Sequence, residues 1–233
     1  MQIDLAFVQA VNDWQVGGDA LRKGARLKKA LPADLPTRFR SCIVPCYQQE
    51  AHPRDRMLSL IACKSLPERI AGWTVDLGVA RAFKSGVPPQ GLQGVIFEIV
   101  PRTEAVVLNL HELYRDREFS DAAERYKSEI QGWHDGIGRY GDQQSEVILE
   151  LESVSTAEIV SYGGYVGTLD QLAEVDSGPG ATENDLNEVA RKLKMSGHAP
   201  GDEWWLTEQG TRNVLNNMEP HIKEYLARKA TGR

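Results

Sequence analysis

Gln144-Ser145-Glu146-Val147-Ile148-Leu149 is the stretch around which the rest of the chain is read. It sets an amide and a carboxylate two residues apart at the head of an aliphatic run. Side chains alternate along a strand, so the pattern predicts Gln144 and Glu146 on one face and Val147, Leu149 and Leu151 on the other. The apolar face is expected to pack into a core and the polar face to open onto a cleft. Taken alone, the stretch describes many solvated edge strands equally well. It gains weight from two upstream segments, Phe39-Arg40-Ser41 and Gly72-Trp73-Thr74.

The 233 residues are 41% hydrophobic, enough for one core, and the expected organisation is one domain with an appendage. A net charge of −6 disfavours a globally basic nucleic-acid binder and leaves room for a local basic patch. Three cysteines, Cys42, Cys46 and Cys63, make an odd count that suits free thiols in a reducing compartment. The start, Met1-Gln2-Ile3-Asp4-Leu5, has no basic segment followed by an apolar one, and no apolar run is long enough for a membrane span. A cytoplasmic protein without a membrane partner is the expectation.

Ile3, Phe7, Val11 and Trp14 fall at helical spacing until Gly17-Gly18, and a basic helix follows from Asp19 to about Leu31. Pro32 and Pro36 frame a loop. A strand is expected over Phe39–Tyr47, confined to an edge or an end by Pro45. Pro53–Cys63 reads as a helix and Trp73–Val75 as a short strand. Asp76 then caps a helix carrying Val79, Ala80 and Phe83. Strands are expected at Val95–Pro101, Ala105–Leu110 and Ala157–Tyr162, and a charged helix over Leu113–Trp133. The glycine-rich loop His134–Gln143 leads into Glu146. Beyond Gly167 the composition changes: a linker at Asp176–Ala181, then helices, with Trp204-Trp205 between them.

Arg40, the Gly72-Trp73-Thr74-Val75-Asp76 strand leading into Val79-Ala80-Arg81-Ala82-Phe83, and Gln144-Ser145-Glu146 form an ordered set. In this order the chain resembles the mono-ADP-ribosyltransferases of the Arg–Ser–Glu class, a group that includes many bacterial toxins. The likeness covers about Thr37 to Gly164. It implies an α+β fold with two small packed β-sheets around an NAD cleft and flanking helices. It also implies roles: Arg40 holding the NAD pyrophosphate or nearby ribose, Thr74 positioning the glutamate, Trp73 walling the pocket and Phe83 packing beside the cofactor site. Glu146 would bond the nicotinamide-ribose hydroxyls and face the oxocarbenium-like transition state, the same demand that glycoside hydrolysis makes. Gln144 would orient the acceptor, and Tyr140 would be the exposed aromatic of the recognition turn. Glutamine in place of a second glutamate points by resemblance to asparagine on small GTPases or to nucleic-acid bases as acceptor, since an amide both donates and accepts. Gly72 departs from the family pattern, because a serine is usual there.

Arg38 shares the expected strand face with Arg40 and is the alternative arginine, as Glu150 and Glu152 are alternatives to Glu146. Cys42, Cys46, His52 and Cys63 fit no compact zinc spacing, and no metal is expected. The expected organisation is a helical segment 1–36, a catalytic core 37–166, and a linker with a helical appendage 167–233. The expected function is an intracellular NAD-dependent ADP-ribosyltransferase, a toxin of toxin–antitoxin, phage-defence or interbacterial type. Its partners would be NAD, a nucleic-acid or protein acceptor, and an antitoxin or immunity protein. The alternatives are an NAD glycohydrolase on the same scaffold and an inactive nucleotide-binding or interaction module.

Overall fold

A computed structural model describes residues 3–155, 157–165, 167–195 and 199–231; the expected domain boundary at residue 166 touches a position outside these. Helix α1 spans Leu5–Val16. The Asp4 carboxylate caps it by accepting from the Phe7 N–H at 2.8 Å, and Gly17, at φ 79°, ends it. Asp19 caps α2 (Ala20–Ala30) in the same way, accepting from the Arg22 N–H at 2.9 Å.

The expected strand at Phe39–Tyr47 is not there. Thr37–Arg40 instead forms a 3₁₀ turn that buries Phe39, and strand β1 runs over Cys46–His52. Pro45 has no N–H to give a ladder, so β1 begins only after it. There follow α3 (Arg54–Cys63), β2 (Ile70–Thr74), α4 (Leu77–Ala82), β3 (Gln93–Ile99), β4 (Val106–Asn109), α5 (Leu110–Tyr114) and α6 (Arg117–Tyr126). Asp76 caps α4 as expected, with Oδ1 accepting from the Gly78 and Val79 N–H groups at 2.7 and 3.2 Å. The glycine-rich loop contains a short helix, α7 (Ile137–Tyr140), before β5 (Glu146–Glu150). The remaining elements are β6 (Glu158–Tyr165), α8 (Leu169–Ser177), α9 (Glu183–Met195), β7 (Glu203–Trp205) and α10 (Glu208–Ala230).

The fold is mixed α and β. Among the described residues the strands make one open sheet of seven in the order β4-β5-β2-β1-β3-β6-β7, not two small packed sheets. The paired strands are antiparallel, with Thr74 opposite Glu146, Trp73 opposite Val147 and Gly72 opposite Ile148. No helix among the described residues is long and apolar enough to cross a membrane.

Packing divides the chain into two units of interleaved segments. The first comprises Met1–Gln48, Lys64–Ala80 and Glu98–Glu158. Its core joins Phe7, Val8, Val11 and Trp14 of α1 to Leu27 of α2, Phe39, Ile70 of β2, Leu108 of β4, Phe119 of α6 and Ile148 of β5. Phe119 meets Phe7 and Tyr114 edge-on, with ring centroids 6.2 and 5.3 Å away. A Cβ on Gly24 would lie 2.7 Å from Ile70 Cγ2, so α2 approaches β2 there without a side chain between them.

The second unit comprises Gln49–Cys63, Arg81–Phe97 and Ile159–Arg233. Here the C-terminal region, expected as a linker and helical appendage, also holds a strand, because Trp204 and Trp205 of β7 pair with Gly164 and Gly163 of β6. Gly163 makes room for the Trp205 ring, 2.6 Å from where its Cβ would be, and the indole N–H of Trp205 donates to Arg81 O at 3.1 Å. Helix α10 packs along α3, where Ser59 Oγ and Tyr225 OH lie 2.8 Å apart.

Candidate functional site

Glu146 is the first residue of β5, and the residue before it, Ser145, sits at φ 45° in the left-handed region. The strand alternation therefore does not extend back to Gln144. Gln144 belongs to the connecting loop and is half-buried, so the expected shared strand face of Gln144 and Glu146 is corrected. The face that carries Glu146 is not an open polar face either. Val147, Ile148 and Leu149 are all fully buried, because β5 lies between β4 and β2 and Ile148, on the side of Glu146, enters the core under α1.

The carboxyl of Glu146 is held from two directions. Trp14 of α1 donates its indole N–H to Oε1 at 2.7 Å. On the neighbouring strand, Gly72 leaves room for the same oxygen, since a Cβ there would lie 2.3 Å from Oε1. Gly72 is thus the residue that this position of the carboxylate requires. Oε2 is shut off from solvent and hydrogen-bonds to nothing among the described residues. Burial raises the Glu146 pKa to about 7, against the smaller opposing effect of the Trp14 hydrogen bond. At neutral pH both protonation states are populated.

Thr74 stands directly opposite Glu146, and Tyr47 of β1 opposite Thr74, so the three side chains share one face of the sheet. The Thr74 hydroxyl accepts from the Asp76 N–H at 3.1 Å and so helps to start α4. Trp73 lies on the other face, opposite Val147. It is buried, its indole N–H has no hydrogen-bond partner among the described residues, and its strand position places it away from the Glu146 side.

The loop before Glu146 is tied down by α1 and α5. Gln15 donates from Nε2 to Gly141 O at 2.9 Å and accepts from the Tyr114 hydroxyl at 2.6 Å. Asn12 donates to Gln131 O at 3.0 Å and accepts from the Ile137 N–H at 2.9 Å. Gly136 permits that approach, because a Cβ there would meet Asn12 Oδ1 at 2.5 Å. His111 Nδ1 and Asp142 Oδ1 are 3.1 Å apart. The Tyr114 phenol is pushed up first by burial and then by the charges of Glu146 and Asp142. Tyr140, at the end of α7, is half-buried rather than a freely exposed ring, and the Arg139 guanidinium lies 5.1 Å from its centroid.

Arg40 ends the 3₁₀ turn packed against β4 and is solvent-exposed; it is not on the strand expected for it. The carbonyl of the next residue, Ser41, accepts from Asn109 Nδ2 at 2.9 Å, which fixes the turn at the end of β4. The alternative, Arg38, is engaged elsewhere: it bonds Asp116 Oδ2 at 2.6 Å and lies over Phe39, 4.6 Å from the ring centroid. Phe83, expected from the resemblance to pack beside the cofactor site, is 44% exposed and falls in the second unit. Cys42 and Cys46 face each other with Sγ atoms 3.5 Å apart, while Cys63 accepts from Lys229 and His52 pairs with Glu50. Among the described residues no three His, Cys, Asp or Glu side chains converge on a possible metal position.

The structure thus brings Glu146, Gly72, Thr74 and Trp14 together. It leaves Trp73 on the far face of the sheet and Arg40 on a turn beyond it. No protein family, curated protein or solved structure matched the chain. Reading from sequence missed Trp14, Gln15, Asn12 and Tyr114. Their signal was present: α1 carries Gln9, Asn12 and Gln15 at three-residue spacing beside an apolar stripe, and buried amides demand partners.

Proposed function

We propose that the protein is an NAD-dependent mono-ADP-ribosyltransferase that releases nicotinamide and transfers ADP-ribose to a nucleobase or to an amide-bearing protein side chain. The observation that carries this reading is Glu146: a buried carboxyl with Oε1 clamped and Oε2 unpartnered, opposite Thr74. An unpaired carboxylate oxygen is an acceptor ready for a ribose hydroxyl, and a fixed anion in a water-poor setting stabilises a cation forming at the anomeric carbon.

In the reaction the bond between the ribose anomeric carbon and the nicotinamide nitrogen breaks, and the electron pair leaves with nicotinamide. The acceptor nitrogen or oxygen then bonds the anomeric carbon and loses its proton. Glu146 as carboxylate holds the ribose hydroxyl and faces the developing charge. Gln144, in the loop just ahead, offers an amide to the acceptor. Arg40 is exposed on the turn packed against β4, and a guanidinium for the pyrophosphate is the role the resemblance gives it. A bacterial toxin countered by an antitoxin or immunity protein is the setting that the resemblance suggests.

The test uses NAD labelled in its adenylate half, bacterial lysate, and either wild-type protein or Glu146→Gln. Label reaching macromolecules only with wild type supports the reading, and sensitivity to nuclease or to protease then assigns the acceptor. NAD consumption without transferred label would replace transfer by hydrolysis. Absence of both would sink the enzymatic reading.

A further inference from the structure

We propose that Trp14 is a positioning residue of the glutamate site, holding Glu146 in the orientation that a hydroxyl on β2 would otherwise set. The proposal rests on the transferase reading given above. Three observations converge on it. The indole N–H of Trp14 is 2.7 Å from Glu146 Oε1, a charge-assisted length whenever the glutamate is ionised. Position 72, beside that same oxygen, has no side chain, and a Cβ there would displace the Glu146 carboxylate from where it lies. Thr74, directly opposite Glu146, has its hydroxyl oxygen turned to the Asp76 N–H. Among the described residues no hydrogen bond joins Thr74 to the Glu146 carboxylate, and the donor comes from α1.

Trp14 is itself fixed. Its ring is buried in the core. Its neighbours Asn12 and Gln15 bind the 131–141 segment at Gln131 O, the Ile137 N–H and Gly141 O. One helix thus sets both the carboxylate and the loop that delivers it. With Oε1 engaged by Trp14, Oε2 is the carboxylate oxygen left without a hydrogen-bond partner among the described residues. The titratable groups around the pair are Tyr114 on α5, whose hydroxyl bonds Gln15, Asp142 with His111 beyond it, and Tyr47 in the same row as Thr74.

The decisive experiment compares wild type, Trp14→Phe and Glu146→Gln by two readouts. With ¹⁵N-labelled protein, the indole N–H resonance that Trp14→Phe removes should shift as Glu146 ionises in wild type and stay flat with pH in Glu146→Gln. With NAD turnover, Trp14→Phe should lower kcat about ten- to a hundred-fold, the scale of a lost hydrogen bond to a charge. KM for NAD should change little, and the pH inflection should move upward because a bond favouring the carboxylate is gone. Trp14→Gln, which restores a donor, should recover part of kcat. An indole resonance that ignores Glu146, or turnover and pH profile unchanged in Trp14→Phe, would overturn the proposal. If wild type shows no NAD turnover, the transferase reading fails, and the indole titration alone still decides whether Trp14 holds Glu146. A melting profile for each variant separates loss of positioning from loss of fold.

Discussion

At residue 72 the resemblance and the packing ask for opposite things. A serine there would be expected from resemblance to help position the glutamate. In this chain its Cβ would sit 2.3 Å from Glu146 Oε1, inside any permissible contact. Either the carboxylate swings off Trp14 or the strands part. We therefore expect Gly72→Ser to lower stability by about 1–3 kcal/mol, the usual cost of overpacking, and, on the proposed transferase reading, to lower NAD turnover as well. Denaturant melts and turnover assays check this; a variant as stable as wild type and more active would show that Glu146 does not occupy the position described. At Ser145 a non-glycine residue at φ 45° carries local strain directly before the glutamate, a feature typical of residues that must aim a side chain.

Among the elements, α1 and α2 matter more than their place at the start of the chain suggests. They are part of the core: Phe7, Val8, Val11 and Leu27 are fully buried and Trp14 nearly so. Burying five such side chains is worth roughly 8–15 kcal/mol, comparable with the entire stability of a domain, about 5–15 kcal/mol. Removal of residues 1–36 is accordingly expected to abolish cooperative unfolding, and Glu146 would lose its donor together with its cover. Circular dichroism melts of the shortened chain test this; a sharp transition near the wild-type midpoint would mean that the two helices are dispensable. Helix capping was legible in advance at Asp76, and Asp4 and Asp19, which were not singled out, cap α1 and α2 in the same way. Strand β7 was not, because three residues of a Glu-Trp-Trp segment form a strand only when β6 is beside them.

The pH dependence of the whole molecule's stability carries the mark of Glu146. Its pKa stands at about 7 folded against an ordinary 4.5, so between these values the native state holds more protons than the unfolded chain. Stability from this group is present at low pH and falls as pH rises through that window. The full loss above pH 7 is on the order of 3 kcal/mol. Glu146→Gln lacks this titration. The Tm of the variant minus that of wild type should become more positive from pH 4 to pH 8, and a difference that stays constant would mean that the carboxyl is not buried as described.

The sequence by itself determined the local grammar of the protein. It placed most of the helices, the strands around Trp73, Val95 and Glu146, the Asp76 cap, and the mixed α and β character, because these follow from side-chain period and from hydrogen bonds within a few residues. It also singled out Glu146 as the residue to examine. What sits around that glutamate was decided only by tertiary structure. Trp14 lies 132 residues from Glu146 in the chain, and its indole reads as core apolar surface until β5 is seen beneath it. Gly72 reads as a missing hydroxyl until the carboxylate is found in the space it leaves. Arg40 falls on a turn because Phe39 is drawn into the core and Pro45 delays the strand. Long-range contacts of this kind have no period and no fixed spacing, so no window of sequence contains them; they exist only once the chain has closed on itself.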